Sequence, residues 1–182
     1  MIIAVCGKSA AGKTSIANLL CMNMKLPIAI SSTTRPPRSG EKEANTYNFE
    51  TKEQFFSEEK IFQDYIVDKD WHYGYSKDLI DKKLEIGEDF IMVLSPKGIK
   101  ELKAQYPNES YTILLYSEDK DRIIRSITRS EDVDCKEICR RFLADEEDFK
   151  DLEKYADLKI NTSVNTQIDV IEIIKGLIFE RA

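Results

Sequence analysis

Residues Gly7-Lys8-Ser9-Ala10-Ala11-Gly12-Lys13-Thr14 fit the pattern G-x-x-x-x-G-K-[ST] without a mismatch. Each fixed position has a chemical reason. Two glycines let the backbone wrap its N–H groups around a polyphosphate, because no Cβ blocks the approach. Lys13 supplies a mobile point charge for the outer phosphates, and the Thr14 hydroxyl is a hard oxygen suited to Mg²⁺. The apolar run Ile2–Cys6 precedes the octet and a helix-forming stretch, Ile16–Met24, follows it. That order is strand, loop, helix, and the helix turns its N-terminal N–H groups and positive dipole end toward the same anion. A glycine-rich strand-to-helix turn alone is common in α/β proteins. With lysine and threonine in place, the expectation is a nucleoside triphosphate held by Gly7, Ser9, Ala10, Ala11, Gly12, Lys13 and Thr14.

Two further groups of residues could handle phosphate. Arg35 and Arg38 lie three apart across Pro36-Pro37, which keeps the segment extended and lets both guanidinium forks converge on one group. Tyr47 and Tyr73 can each add a hydroxyl hydrogen bond there. A solvated basic turn would also place Arg beside Pro. The third group is Arg125 and Arg129, four apart on one helical face, followed by Arg140-Arg141. Acids abound nearby, so ordinary ion pairs along exposed helices compete with a phosphate role.

The elements that must carry these residues alternate. Strand-like runs are Ile2–Cys6, Pro27–Ile30, Phe90–Leu94, Tyr111–Leu115 and Leu158–Ile160; helical patterns are Thr14–Met24, Pro96–Gln105, Asp119–Thr128, Lys136–Tyr155 and Thr166–Glu180. Such alternation predicts an α/β fold: a parallel sheet flanked by helices. Two stretches break the rhythm. Residues 31–89 are rich in turn formers and aromatics, with short strand-like pieces at Thr46–Phe49 and Ile61–Val67, and residues 125–141 are highly charged. Both read as flaps on one core formed by 1–30, 90–124 and 142–182, an arrangement suited to excluding water during phosphoryl transfer.

The block Ser31-Ser32-Thr33-Thr34-Arg35-Pro36-Pro37-Arg38-Ser39-Gly40-Glu41, followed by Tyr47-x-Phe49, Phe55, Asp64 and Tyr73-Gly74, resembles the acceptor segment of guanylate kinases. The resemblance runs from the phosphate loop to the C-terminal helix. It implies a P-loop kinase core with a nucleoside-monophosphate-binding excursion (31–89) and a lid (125–141). It also implies transfer of the γ-phosphate of ATP, with Mg²⁺, to GMP or dGMP. Arg35, Arg38, Tyr47 and Tyr73 would hold the acceptor phosphate. Lys13, Arg125, Arg129 and Arg141 would neutralise charge on the transferring group, with Arg140 competing for Arg141's place. Asn161 falls where the family contacts adenine.

The expected base-binding residues are Ser31, Asp64, Tyr75 and Ser95, and three of them depart from the family pattern. Asp64 stands for a Glu, Tyr75 for a small hydroxyl residue, and Met92-Val93-Leu94-Ser95 for an acidic strand end, which also removes acids that could help hold Mg²⁺. A site built for hydrogen bonds discriminates strongly when one is missing. Two other readings therefore stand beside the first. One is a kinase for another nucleotide or for a phosphorylated sugar, like the ribose bisphosphate kinases. The other is a non-catalytic guanylate kinase-like interaction module, which an eroded phosphate loop would favour. No general base is required, because the acceptor is an anionic phosphate oxygen, and the single His72 is expected to pack.

The net charge of −6 argues against tracking nucleic-acid polymers or anionic membranes, which need a basic excess. Small-molecule nucleotides are the expected partners, and the chain is expected to be a monomer or homodimer. Cys6, Cys21, Cys135 and Cys139 lack metal-type pairing apart from the one-turn spacing of the last two, and no His stands near those. Reduced thiols and a cytoplasmic location are the expectation. No run of about 18 apolar residues occurs, and a strand beginning at Ile2 leaves no room for a targeting peptide.

Overall fold

A computed structural model of the chain describes residues 1–37, 47–66, 69–128 and 133–179. Its centre is strand β1, Ile2–Gly7, every residue of which is buried. A strand apolar on both faces must lie inside a parallel sheet with helices on either side. β1 pairs in parallel with β6 (Phe90–Val93) and β7 (Ser110–Tyr116), and β8 (Leu158–Asn161) adds to β7, giving the order β6-β1-β7-β8. Side chains alternate along a strand, so Ile3 and Val5 enter one core and Ile2, Ala4 and Cys6 the other. Helices α1 (Lys13–Met24) and α7 (Gln167–Phe179) cover the first through Ile16, Leu20, Ile171 and Ile174. Helix α4 (Pro96–Gln105) covers the second through Ile99 and Leu102.

Between α1 and β6 the chain builds a second, mixed sheet. Its strands are β2 (Ser32–Thr33), β3 (Asn48–Phe49), β4 (Lys60–Ile66) and β5 (Trp71–Ser76), in the order β3-β2-β5-β4. The short helix α2 (Lys52–Phe55) opens with a reciprocal cap between Thr51 and Gln54 and buries Phe55. Helix α3 (Lys77–Glu85) follows β5, carrying Lys77–Asp81 and Asp78–Lys82 pairs on its surface. Helices α5 (Asp119–Thr128) and α6 (Cys135–Asp148) carry the two ends of the charged segment.

The alternating α/β reading holds, with local corrections. Pro27–Ile30 is no full strand: Ile28 makes a single parallel bridge to Ile91, with Ala29 donating to Ile91 O and Ile91 to Pro27 O, both at 2.8 Å. Pro27 has no N–H to extend the ladder. The helix expected over Lys136–Tyr155 stops at Asp148. Asp151, with φ 59°, turns the chain into a separate 3₁₀ turn, Leu152–Tyr155. That break lets both Phe149 and Leu152 face the α4-side core. Strand β5 and helix α3 lay unread in the turn-rich stretch. Val67 and Glu180 fall outside the described residues. Among the described residues, no helix is long and apolar enough to cross a membrane.

Candidate active site

At the end of β1, Gly7 pairs with Leu115 on β7. A Cβ on Gly7 would lie 2.4 Å from Leu115 O, so only glycine allows this approach. The chain then loops back through Ala10 (φ 60°) and Gly12 (φ 96°), both left-handed. Gly12 is the N-cap of α1 and no side chain caps the helix, which leaves the first-turn N–H groups available to an anion. Lys13 Nζ reaches across the loop, donating to Gly7 O at 2.7 Å and Lys8 O at 3.1 Å. Thr14 is exposed in the first turn. A cleft of about 500 Å³ opens here, lined by Ala10 to Ile16, Arg125, Thr162, Asn165 and residues of α1 and α7. Asn161 does not line it. Its Oδ1 accepts from Ser163 N at 2.8 Å and its carbonyl from Asn165 Nδ2 at 2.8 Å, so it shapes the turn that presents Thr162 and Asn165.

Arg125 projects from α5 onto the cleft wall. Nη1 lies 3.3 Å from Ala10 O and 3.2 Å from both Ser117 Oγ and Thr162 Oγ1, and Nη2 donates to Thr162 O at 2.7 Å. Arg129 lies outside the described residues. Arg141 is turned along its own helix: Nε donates to Glu137 Oε1 at 2.8 Å, while Arg140 bonds the same carboxylate at 2.8 and 3.0 Å. The competition between Arg140 and Arg141 thus ends in a shared partner. Arg140's hydrogen bond, with Arg141 adding to it, holds the Glu137 carboxyl down to about 2. Two residues that the motifs passed over touch the loop directly. Arg122, one turn before Arg125, donates to Ser9 O, and Asp145, one turn beyond Arg141, accepts from Ser9 N at 2.9 Å. Their helical spacing from the noticed arginines was the available signal.

The second phosphate-type group sits on the mixed sheet. Arg35 is 3% exposed, its guanidinium 5.3 Å from the ring centre of Tyr47 and 5.7 Å from that of Phe49, and Tyr47 meets Tyr73 edge-on at 5.9 Å. The structure therefore brings Arg35, Tyr47 and Tyr73 together, with β2 and β5 pairing Thr33 to Tyr73. Aromatic faces stabilise a planar cation in such a setting. Arg38 lies outside the described residues.

The base-pocket candidates divide. Asp64 pairs with Tyr73 across β4 and β5. Burial raises its carboxyl from its ordinary value, opposed first by a hydrogen bond from Ser95 and then by Lys97. Ser95 also caps α4, its Oγ accepting from Gly98 N at 3.1 Å. A hydroxyl can accept and donate at once, whereas an aspartate there would set two carboxylates side by side. Tyr75 is a core residue at 6% exposure. Its hydroxyl donates to Val93 O at 2.9 Å and also meets the Ser31 side chain, and burial pushes its phenol up. Most of its bulk is absorbed by packing, and its hydroxyl edge lies beside Ser31, another of the expected base-binding residues. His72 packs as expected, stacked on Tyr65 at 4.5 Å. The Cys6 thiol is pushed up to about 12 by burial and is inert. No cluster of metal-binding side chains occurs among the described residues. A Mg²⁺ ion would thus have Thr14 as its protein oxygen and would fit only in company with water and nucleotide phosphates, as that ion tolerates.

A family model described as guanylate kinase matches residues 1–177. The guanylate kinase of Caldanaerobacter subterraneus subsp. tengcongensis is 32% identical over 180 residues, covering 96% of this chain and 85% of that protein. That of Clostridioides difficile is 33% identical over 178 residues, covering 94% and 85%. Among solved structures, the guanylate kinase from Anaplasma phagocytophilum superposes with a TM-score of 0.75 at 17% identity, covering all of this chain and 85% of that one, a likeness of fold.

Proposed function

The chain belongs to the guanylate kinase family, and on that premise we propose that it transfers the γ-phosphate of ATP to GMP or dGMP, giving ADP and GDP or dGDP. The observation that carries this reading is the cleft at Gly7–Thr14, intact in all its glycines, lysine and threonine and walled by Arg125. An eroded loop would have spoken for an interaction module.

In this reading the N–H groups at the start of α1 and the Lys13 ammonium bind the β- and γ-phosphates. Lys13 gives up its carbonyl bonds to Gly7 and Lys8 for bonds to phosphate oxygens, which add attraction between full opposite charges. Arg125 and Lys13 stand where negative charge grows on the transferring group, and such preorganised charge accounts for most of the catalysis of phosphoryl transfer. Arg129 and Arg141 join them as the lid (125–141) closes, Arg141 leaving Glu137. A Mg²⁺ ion at Thr14 would add Lewis-acid neutralisation of phosphate charge. Within the acceptor region (31–89), Arg35 and Arg38 with Tyr47 and Tyr73 orient the acceptor phosphate. Asp64, supported by Ser95 and Ser31, accepts hydrogen bonds from the guanine N1 and N2 donors. Asn161 shapes the adenine side. A deprotonating side chain is unnecessary, since the acceptor oxygen is already anionic. Incubation with γ-labelled ATP, Mg²⁺ and GMP should yield labelled GDP; label that stays on ATP would refute the proposal.

A further inference from the structure

We infer that Arg122 and Asp145 are positioning residues: a buried clamp that grips Ser9, sets the shape of the phosphate loop and joins it to both helices of the charged segment. The inference rests on the reading of Gly7–Thr14 as the ATP loop. The Arg122 side chain is wholly buried and uses all three nitrogens. Nε donates to Ser9 O at 2.9 Å, Nη1 to Asp119 Oδ1 at 2.6 Å, and Nη2 to Asp145 Oδ2. Asp145 in turn accepts from Ser9 N at 2.9 Å and from Ser9 Oγ at 3.3 Å. One loop residue thus has its N–H, its hydroxyl and its carbonyl all engaged by a single ion pair. Phe142 closes the group, its ring centre 4.1 Å from the guanidinium.

Stability alone is a poor reason for this arrangement, because a buried ion pair can often be replaced by apolar residues of similar size without loss. What the pair holds is more telling. Ser9 precedes Ala10, a non-glycine residue at φ 60°, a conformation that persists only where its surroundings over-determine it. The neighbours are held from the same helices. Lys8 pairs with Glu146 of α6, and Arg125 of α5 lies against Ala10 O. Three consecutive loop residues are therefore gripped by α5 and α6, so loop shape and lid position form one mechanical unit. It follows that the Ser9 N–H, already bonded to Asp145, is a handle for the loop rather than a phosphate donor. The donors are the N–H groups that follow Gly12.

The test is calorimetric titration of the full chain with Mg·ATP, and separately with GMP, in Asp145→Asn, Asp145→Ala and the double variant Arg122→Met/Asp145→Leu, alongside thermal melting. A loop no longer preorganised should bind Mg·ATP about tenfold more weakly in Asp145→Ala and in the double variant. Asp145→Asn, which keeps an acceptor for Ser9 N–H, should recover part of that loss, and GMP affinity should stay within about twofold throughout. Unchanged Mg·ATP affinity in Asp145→Ala or in the double variant overturns the inference, as does equal weakening toward ATP and GMP. Failure of the unaltered chain to bind Mg·ATP would instead overturn the reading of the loop itself.

Discussion

The two glycines of the phosphate loop should fail in different ways when replaced by alanine. At Gly7 the new Cβ would sit 2.4 Å from the carbonyl oxygen of Leu115 and 3.3 Å from Ala11 Cβ. That is roughly 1 Å inside the about 3.3–3.6 Å of an ordinary C···O contact. The oxygen belongs to the backbone of a central strand paired to Gly7 itself, so no side chain can swing away and β1 must shift against β7. Overpacking of this kind costs about 1–3 kcal/mol even where side chains can give, and here the upper end or more is expected. At Gly12 nothing lies within 4 Å of the new Cβ, but φ is +96°. A left-handed alanine costs about 1–2 kcal/mol, and about 0.4–1 kcal/mol returns through the stiffer unfolded chain. The net loss is then about 1 kcal/mol. At 182 residues, Gly12→Ala should lower Tm by about 2–4 °C and Gly7→Ala by about 6 °C or more, in thermal melts and urea midpoints alike. Mg·ATP affinity should fall in Gly12→Ala beyond what its stability loss explains, because its Cβ enters the space assigned to phosphate. A Gly12→Ala protein less stable than Gly7→Ala would refute the division of roles.

Lys13→Ala should cut phosphoryl transfer by on the order of 10²–10³-fold while Tm stays within a few degrees; activity within about tenfold of the unaltered chain would contradict the loop assignment. Asp64→Asn should raise KM for GMP about 10–100-fold, the worth of one charge-assisted hydrogen bond. The same change should stabilise the protein at neutral pH. Burial raises the folded-state pKa of Asp64, so its carboxyl opposes folding increasingly as pH rises through that value, and urea midpoints at low and neutral pH would show the slope flatten. Ser95→Ala removes the cap of α4 and should cost about 1 kcal/mol, read as a lower urea midpoint. Glu137 behaves oppositely to Asp64. Its folded pKa of about 2 lies below the unfolded value, so its contribution is present above about pH 4.3 and fades as pH falls toward 2. The stability curves of Glu137→Gln and the unaltered chain should therefore converge in acid.

The donor half of the site was legible because its chemistry is contiguous. Strand, loop, lysine and helix occupy neighbouring residues, and the structure differs there by one residue at the end of β1 and one at the start of α1. Arg35, Tyr47 and Tyr73 were legible through spacing, though the aromatic enclosure of Arg35 depends on pairing between β2 and β5 that no local pattern announces. Tyr75 was harder to read, because residue size alone cannot say whether a large side chain fills core or lines a pocket; it shares the face of β5 that carries Tyr73, and its hydroxyl meets the Ser31 side chain. Arg122 and Asp145 carried only a faint signal, their one-turn spacing from Arg125 and Arg141. Each looks like an ordinary charge on a polar helix, and only the packing of α5 and α6 against the loop removes them from water. The long helix expected through Tyr155 failed at Asp151, where burying Leu152 outweighed local helix propensity.

The central claim is tested most directly by kcat/KM for phosphoryl transfer from Mg·ATP across GMP, dGMP, AMP, UMP, TMP and ribose phosphates. The account predicts that GMP and dGMP lead the panel by at least about a hundredfold, the margin expected when a pocket is built around hydrogen bonds to one base. Turnover confined to non-guanine acceptors, or no turnover with any of them, would contradict it.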